Sequence, residues 1–243
     1  MQDRIIGADL SLNHGAMVLL EDNKLLRFWY YTTTVGSAKQ YKLGYHMKFS
    51  KKNKDKQTLH IMRLAWIRDF VGTILKWEVP NYIALEDYAL DIKHGSHYQG
   101  ELGGIVRMVC WKNKIPMRLH DPVSLKMFTT HDGKADKVQM EEAVKKRWNV
   151  KFDKANCPVA KPTIKNPNPK QNRETSQDLC DAYALARLLL LELKLRTGVV
   201  GMSDLHEKEI RVFNRITRAF PVNLLDRDFI VDPEFSKKPS FSV

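Results

Sequence analysis

The sequence predicts a mixed α/β fold: a five-stranded sheet of three antiparallel strands followed by parallel ones, with helices on both faces. Three observations carry this. Three short apolar runs lie close together at the start of the chain, joined by connections too short for anything but hairpins. Beyond them, helical and strand-like patterns alternate, which is the signature of parallel pairing through crossovers. The later helical segments are apolar enough to cover a sheet rather than to lie in solvent.

The elements follow in order. Residues 4–10 form an apolar run that ends near Asp9, and residues 15–20 form a second. The turn Glu21-Asp22-Asn23-Lys24 leads to a third, 25–31, rich in Phe, Trp and Tyr, as half-buried strands are. Residues 58–78 are expected to be helical, because Leu59, Met62, Trp66, Phe70, Ile74 and Trp77 recur at the spacing of a core-facing stripe. Pro80-Asn81 ends that helix, and residues 82–86 read as a buried strand closed by Glu86. A second helix is expected near 98–112, where Gly100, Gly103 and Gly104 permit close backbone approach, and a short strand at 116–119. Residues 134–148 are strongly helical, with Val138, Ala143, Val144 and Trp148 as candidate buried positions. Residues 176–196 form a long apolar helix that Ser176 is placed to cap. The tail beyond Gly198 holds one expected helix, 203–219. The chain thus divides into a main domain, 1–197, and a C-terminal extension, 198–243.

Two basic insertions, 32–57 and 151–174, interrupt the pattern. Residues 39–57 carry Lys39, Lys42, Lys48, Lys51, Lys52, Lys54 and Lys56 against the single Asp55, interleaved with Tyr41, Tyr45 and Phe49. Such a run is either a solvated loop or an arm that grips phosphates while its aromatics stack on bases. Residues 151–174 hold Pro158, Pro162, Pro167 and Pro169 and more bases than acids, and read as a loop with the same second possibility.

Composition narrows the function. Lys and Arg number 40 against 28 Asp and Glu, a net charge of +12 that favours a polyanionic partner, nucleic acid first. The three cysteines, Cys110, Cys157 and Cys180, are odd in number and show no C-x-x-C spacing. That argues against a disulfide framework or a zinc site and fits a reducing compartment. No apolar run approaches the length of a membrane span and no secretory signal opens the chain, so a cytoplasmic location without membrane association is expected.

The chemistry rests on four acids. Asp9 and Glu86 each end an apolar strand, where an uncompensated carboxylate is costly. If the strands are adjacent and parallel, both acids project at the carboxyl edge of the sheet, where open α/β sheets keep their ligands. Asp178 and Asp181, at i and i+3, share one face of a helix start. The macrodipole alone accounts for acids in a first turn, but a helix this apolar must pack deeply and could carry them onto the sheet. Four convergent carboxylates need divalent cations, and oxygen-only donors select hard ions: two Mg²⁺, with Mn²⁺ as substitute. Such a pair supports phosphodiester hydrolysis.

The pieces Ile5-Ile6-Gly7-Ala8-Asp9-Leu10-Ser11, Ile83-Ala84-Leu85-Glu86, Gly133-Lys134-Ala135-Asp136-Lys137-Val138-Gln139-Met140 and Asp178-Leu179-Cys180-Asp181-Ala182-Tyr183-Ala184-Leu185-Ala186 occur in that order. Together they resemble the RuvC-type Holliday junction resolvases of the ribonuclease H-like superfamily, over about residues 4–192. The resemblance implies a ribonuclease H-like fold, a Mg²⁺-dependent crossover junction endonuclease, branched DNA as partner and a homodimer. It makes Asp9, Glu86, Asp178 and Asp181 the metal-binding carboxylates and puts Lys126 and Lys137 near the scissile phosphate; DNA contact is the favoured reading of both lysines, Lys137 first, and surface charge the alternative. Lys134, Lys48, Lys51, Lys52 and Lys54 are further candidate DNA contacts. His94, His97, Tyr88 and Tyr98, after Glu86, are either solvated or within reach of substrate. The wide spacing between the acids and the unmatched tail mark a divergent member, of a phage or viral kind. The competing functions are cleavage of flaps, forks or RNA–DNA hybrids, and silent binding of junctions. The related actin-like ATPases are a poor fit, since Asn13-His14-Gly15 makes no phosphate-binding hairpin.

Overall fold

A computed structural model of the chain describes residues 3–33, 44–49, 55–87, 96–152, 157–158, 171–172, 174–216 and 221–236. The expected meander is present as β1 (Arg4–Leu10), β2 (His14–Glu21) and β3 (Lys24–Thr32), paired antiparallel. A further strand, β4 (Gly44–His46), pairs parallel with β3. β5 (Tyr82–Glu86) lies parallel to β1, and β6 (Met117–His120) parallel to β5, so the sheet runs β4-β3-β2-β1-β5-β6. The expectation of five strands is corrected here: a three-residue edge strand inside a lysine-rich segment has too few positions to show a period of two.

Helices cover both faces, as expected. On one side lie α1 (Lys56–Glu78) and α2 (Ser96–Lys112), closing a core of Ile6, Met17, Leu19, Trp29, Ile67, Val71 and Ile83. On the other lie α3 (Pro122–Thr130), α4 (Lys137–Trp148) and α5 (Glu174–Arg196), around Ile5, Val18, Leu20, Tyr30, Ala84, Leu185 and Leu189. Consecutive strand residues face opposite sides, which is why neighbours such as Ile5 and Ile6 belong to different cores. A two-stranded ribbon, β7 (Cys157–Pro158) and β8 (Gln171–Asn172), precedes α5.

Several helical expectations shift. In α1 the buried apolar positions are Leu64, Ile67, Phe70, Val71, Ile74 and Leu75, while Trp77 is 69% exposed. The buried stripe is rotated from the one marked by the large residues, because size does not reveal which side a sheet lies on. In α4 the buried residues are Met140 and Val144, and Val138 is exposed. That helix starts at Lys137, capped by Asp136 and Gln139 in a reciprocal box. Ser176 does not cap α5: it lies inside the helix, and its hydroxyl donates to the Glu141 carboxylate. The tail holds a 3₁₀ turn (Met202–Asp204) and the short α6 (Glu207–Phe213) in place of one helix over 203–219, whose end lies outside the described residues. Cys110 and Cys180 are buried and outside any disulfide, and burial pushes the Cys110 thiol up to about 12. No helix among the described residues is long and apolar enough to cross a membrane.

Candidate active site

Asp9 and Glu86 follow directly on the paired residues Ala8 and Leu85 of the parallel strands β1 and β5. They therefore stand side by side at the carboxyl edge of the sheet, on the face that α5 covers. Gly7 lets α5 come that close. A Cβ there would lie 2.0 Å from the Ala182 carbonyl oxygen and 2.6 Å from the Ala186 amide nitrogen, both backbone atoms that cannot step aside. With α5 in contact at Ala182, Asp181 and Asp178 in the turn before it reach the sheet edge where Asp9 stands, one residue before the end of β1. α5 begins at Glu174, so Asp178 and Asp181 lie past its first turn, where the macrodipole no longer accounts for them.

All four acids line one cleft of about 360 Å³. Asp178 is 2% exposed, and its Oδ2 lies 2.5 Å from His14 Nδ1. Burial, and then the neighbouring charges of Asp178, Glu86 and Asp181, raise the Asp9 carboxyl well above its usual range against the pull of Lys137. Burial lifts Glu86 to about 7, with Lys137 and Lys126 holding it down and Asp178 pushing it up. Burial and the nearby Glu86 lift Asp181 to about 8, opposed chiefly by Lys137. Desolvation would lower the Lys137 ammonium, but Asp178, Asp9, Asp181 and Glu86 outweigh it and raise it.

The lysines are brought in by two helices. Lys137 is the first residue of α4, and Lys126 sits on α3, whose Asp121 cap accepts hydrogen bonds from the Ser124 amide (3.0 Å) and hydroxyl (2.5 Å). Both line the cleft; Lys134, on the turn before α4, does not. Lys48 lines a separate groove, and Lys51, Lys52 and Lys54 lie outside the described residues. His97 and Tyr98 pack ring against ring at a tilt and neither lines the cleft, while His94 and Tyr88 lie outside the described residues.

Sequence reasoning missed His14, Gln99 and Arg107 as site residues, all of which line the cleft. His14 opens β2 after a tight turn in which the Ser11 hydroxyl donates to the His14 carbonyl (2.7 Å). Tyr31 holds that turn by donating its hydroxyl to the Ser11 carbonyl (2.5 Å), and Gly15 leaves room for the Tyr31 ring. The hairpin that follows Asp9 is the signal that could have found it, since so short a turn must return a side chain to the same sheet edge. α3 is absent from the sequence reading because its nine residues are too few to establish a period.

The donor set is carboxylate oxygen throughout, crowded enough that the acids raise one another's proton affinity, and that chemistry fits a hard divalent cation. No group of three or more His, Cys, Asp or Glu among the described residues is already placed to hold an ion.

No protein-family model matches the chain, and no curated protein matches it. Solved structures do. Thermus thermophilus RuvC aligns at 16% identity over 80% of this chain and 96% of its own, with a TM-score of 0.47. T. thermophilus RuvC in complex with a Holliday junction substrate aligns at 17% identity over 81% and 96%, with a TM-score of 0.50. The yeast mitochondrial Holliday junction resolvase aligns at 13% over 76% of each chain, with a TM-score of 0.44. On the strength of the 0.50 alignment, the fold is that of a RuvC-like resolvase.

Proposed function

We propose that this chain is a divalent-cation-dependent, structure-selective DNA endonuclease that resolves four-way junctions. One observation carries the reading: Asp9, Glu86, Asp178 and Asp181, spread over 173 positions of the sequence (181 − 9 + 1), line a single cleft at the carboxyl edge of β1 and β5. The net charge of +12 and a fold shared with a protein solved on a Holliday junction support the choice of substrate.

Asp9, Glu86, Asp178 and Asp181 are the residues that would hold Mg²⁺, and the bound cation would lower the pKa of a water and stabilise the departing oxygen. The chain's own groups supply the rest. Lys137 and Lys126 offset the carboxylate charge and present ammonium groups to the phosphate. Leu85, Val106, Leu119 and Leu125 form an apolar wall that limits competing water. Hydrolysis adds water across the P–O3′ bond and leaves a 5′ phosphate and a 3′ hydroxyl. A homodimer would cut the two symmetric strands of a junction; the exposed Tyr98, Met108 and Trp111 of α2 supply an apolar face for such pairing.

A cleavage assay on a synthetic four-way junction with Mg²⁺, beside a flap and an RNA–DNA hybrid, tests this. Preferential paired nicking of the junction is expected, lost in Asp9→Asn, while Asp178→Asn should bind the junction without cutting it. Better cleavage of the flap or hybrid would move the substrate, and unchanged cutting by Asp9→Asn would dismiss the site.

A further inference from the structure

A second groove, of about 520 Å³, opens beside the cleft, and His14 lines both. It is formed where the β1–β2 turn (Asn13, His14) meets the end of β3, the added strand β4 with the residues after it (His46, Lys48, Phe49), and Arg63 on α1. Its described lining holds no carboxylate. Lys48 is exposed and Arg63 half-buried, and neither has an ion-pair or hydrogen-bond partner among the described residues. Phe49 presents an apolar ring beside these cations, the pairing of charge and aromatic surface that suits a nucleic-acid strand. The volume lies in the range that encloses more than a lone small ion.

We propose that this groove binds the sugar–phosphate backbone of the DNA strand running to or from the cleft. Arg63 and Lys48 contact successive phosphates, and Phe49 lies against a sugar or base. His14 marks the border, so a strand in the groove leads directly to the carboxylates. The residue that completes the anion site, Arg63, comes from α1, whose buried face packs on the core, and Lys48 lies just past the end of β4. The inference rests on the nuclease reading for the identity of the strand, but its test does not depend on cutting.

Binding of a fluorescent four-way junction is measured by anisotropy in EDTA, from low to moderate salt, for the wild type, Arg63→Gln/Lys48→Gln and Arg63→Lys. The double substitution is expected to weaken binding and to flatten the slope of log affinity against log salt by about 1.4–1.8, the effect of removing two phosphate interactions. Arg63→Lys should retain most of that slope. Replacing single phosphates near the cut site by neutral methylphosphonates should weaken wild-type binding at positions to which the double variant is indifferent. Neither cation is tied to another described residue, so the melting temperature of the variants should match the wild type. An unchanged slope in the double variant, or a wild type that binds no junction, would overturn the groove. A wild type that binds but never cuts, with the slope change intact, would defeat the nuclease reading and leave the groove standing.

Discussion

Asp181 and Glu86 show what the cleft costs the protein. Their carboxyls stand at about 8 and about 7, against ordinary values of 3.8 and 4.5. Below the ordinary values both folded and unfolded chains are protonated there. Between those values and the raised ones, the folded chain keeps protons that the unfolded chain has released, so stability declines as pH rises through that window. Thermal melts in EDTA from pH 5 to 8.5 should therefore show the wild type losing ground to Asp181→Asn as pH rises, because the amide neither buries a charge nor crowds Glu86 and Asp178. Parallel curves would mean that the cleft does not raise the Asp181 carboxyl. Added Mg²⁺ should raise the wild-type melting temperature at pH 8 more than that of the variant, since binding to the folded state alone stabilises it. The acid types and their strand-end positions were legible in the sequence. The Asp178–His14 contact was not, because it joins residues 164 positions apart that no local pattern connects.

The elements matter through how they meet. Gly7 and the small residues Ala182 and Ala186 let α5 lie directly on β1, and that contact sets where Asp178 and Asp181 arrive. Gly7→Val should push the helix off the strand. Overpacking of this kind costs about 1–3 kcal/mol, readable by chemical denaturation, and Mg²⁺ affinity should fall with it as the carboxylates separate. A variant that loses stability but keeps full Mg²⁺ affinity would show that this contact does not position the acids. The long helices were readable because an apolar face repeats over several turns. α3 and β4 were not, since one is nine residues and the other three. α1 was readable as a helix but not fully as an orientation, since Trp66 packs on Tyr31 of β3 while Trp77, marked by the same spacing, is exposed.

At the scale of the molecule, the C-terminal segment is tied to the sheet by a buried charge network. Arg118 of β6 pairs with Glu192 of α5 (Nη2–Oε1 2.7 Å, Nε–Oε2 3.1 Å) and donates to the carbonyls of Arg227 and Asp228, each at 2.8 Å. Ile230 bridges Met117 on the outer side of β6, which blunts that edge against pairing with other chains. Phe229 packs on Tyr82 and under both Arg118 and Arg196. Arg215 reaches back to Asp121, the cap of the helix that carries Lys126 (2.9 Å). Glu192→Gln leaves the Arg118 guanidinium buried with a weaker partner and should cost up to about 3–5 kcal/mol. The double variant Arg118→Met/Glu192→Leu should lose less than the sum of its single changes in equilibrium unfolding; simple additivity would mean the pair is not coupled.

By itself the sequence determined the strand meander, the alternation that follows it and the residue types of the site, since each depends on neighbours within a few positions. Strand ends and helix periods are local properties of the chain, and the net charge needs only its composition. The tertiary structure decided which acids share a cleft, that His14 closes on Asp178, that Lys137 and Lys126 reach the carboxylates while Lys134 does not, and that the basic segment supplies a strand beside the site. Those outcomes depend on packing across the sheet, where a glycine at one position and two alanines some 175 residues later (182 − 7) set the distance between the elements. Such contacts leave no periodic trace in the sequence, and they are what bring the chemistry together.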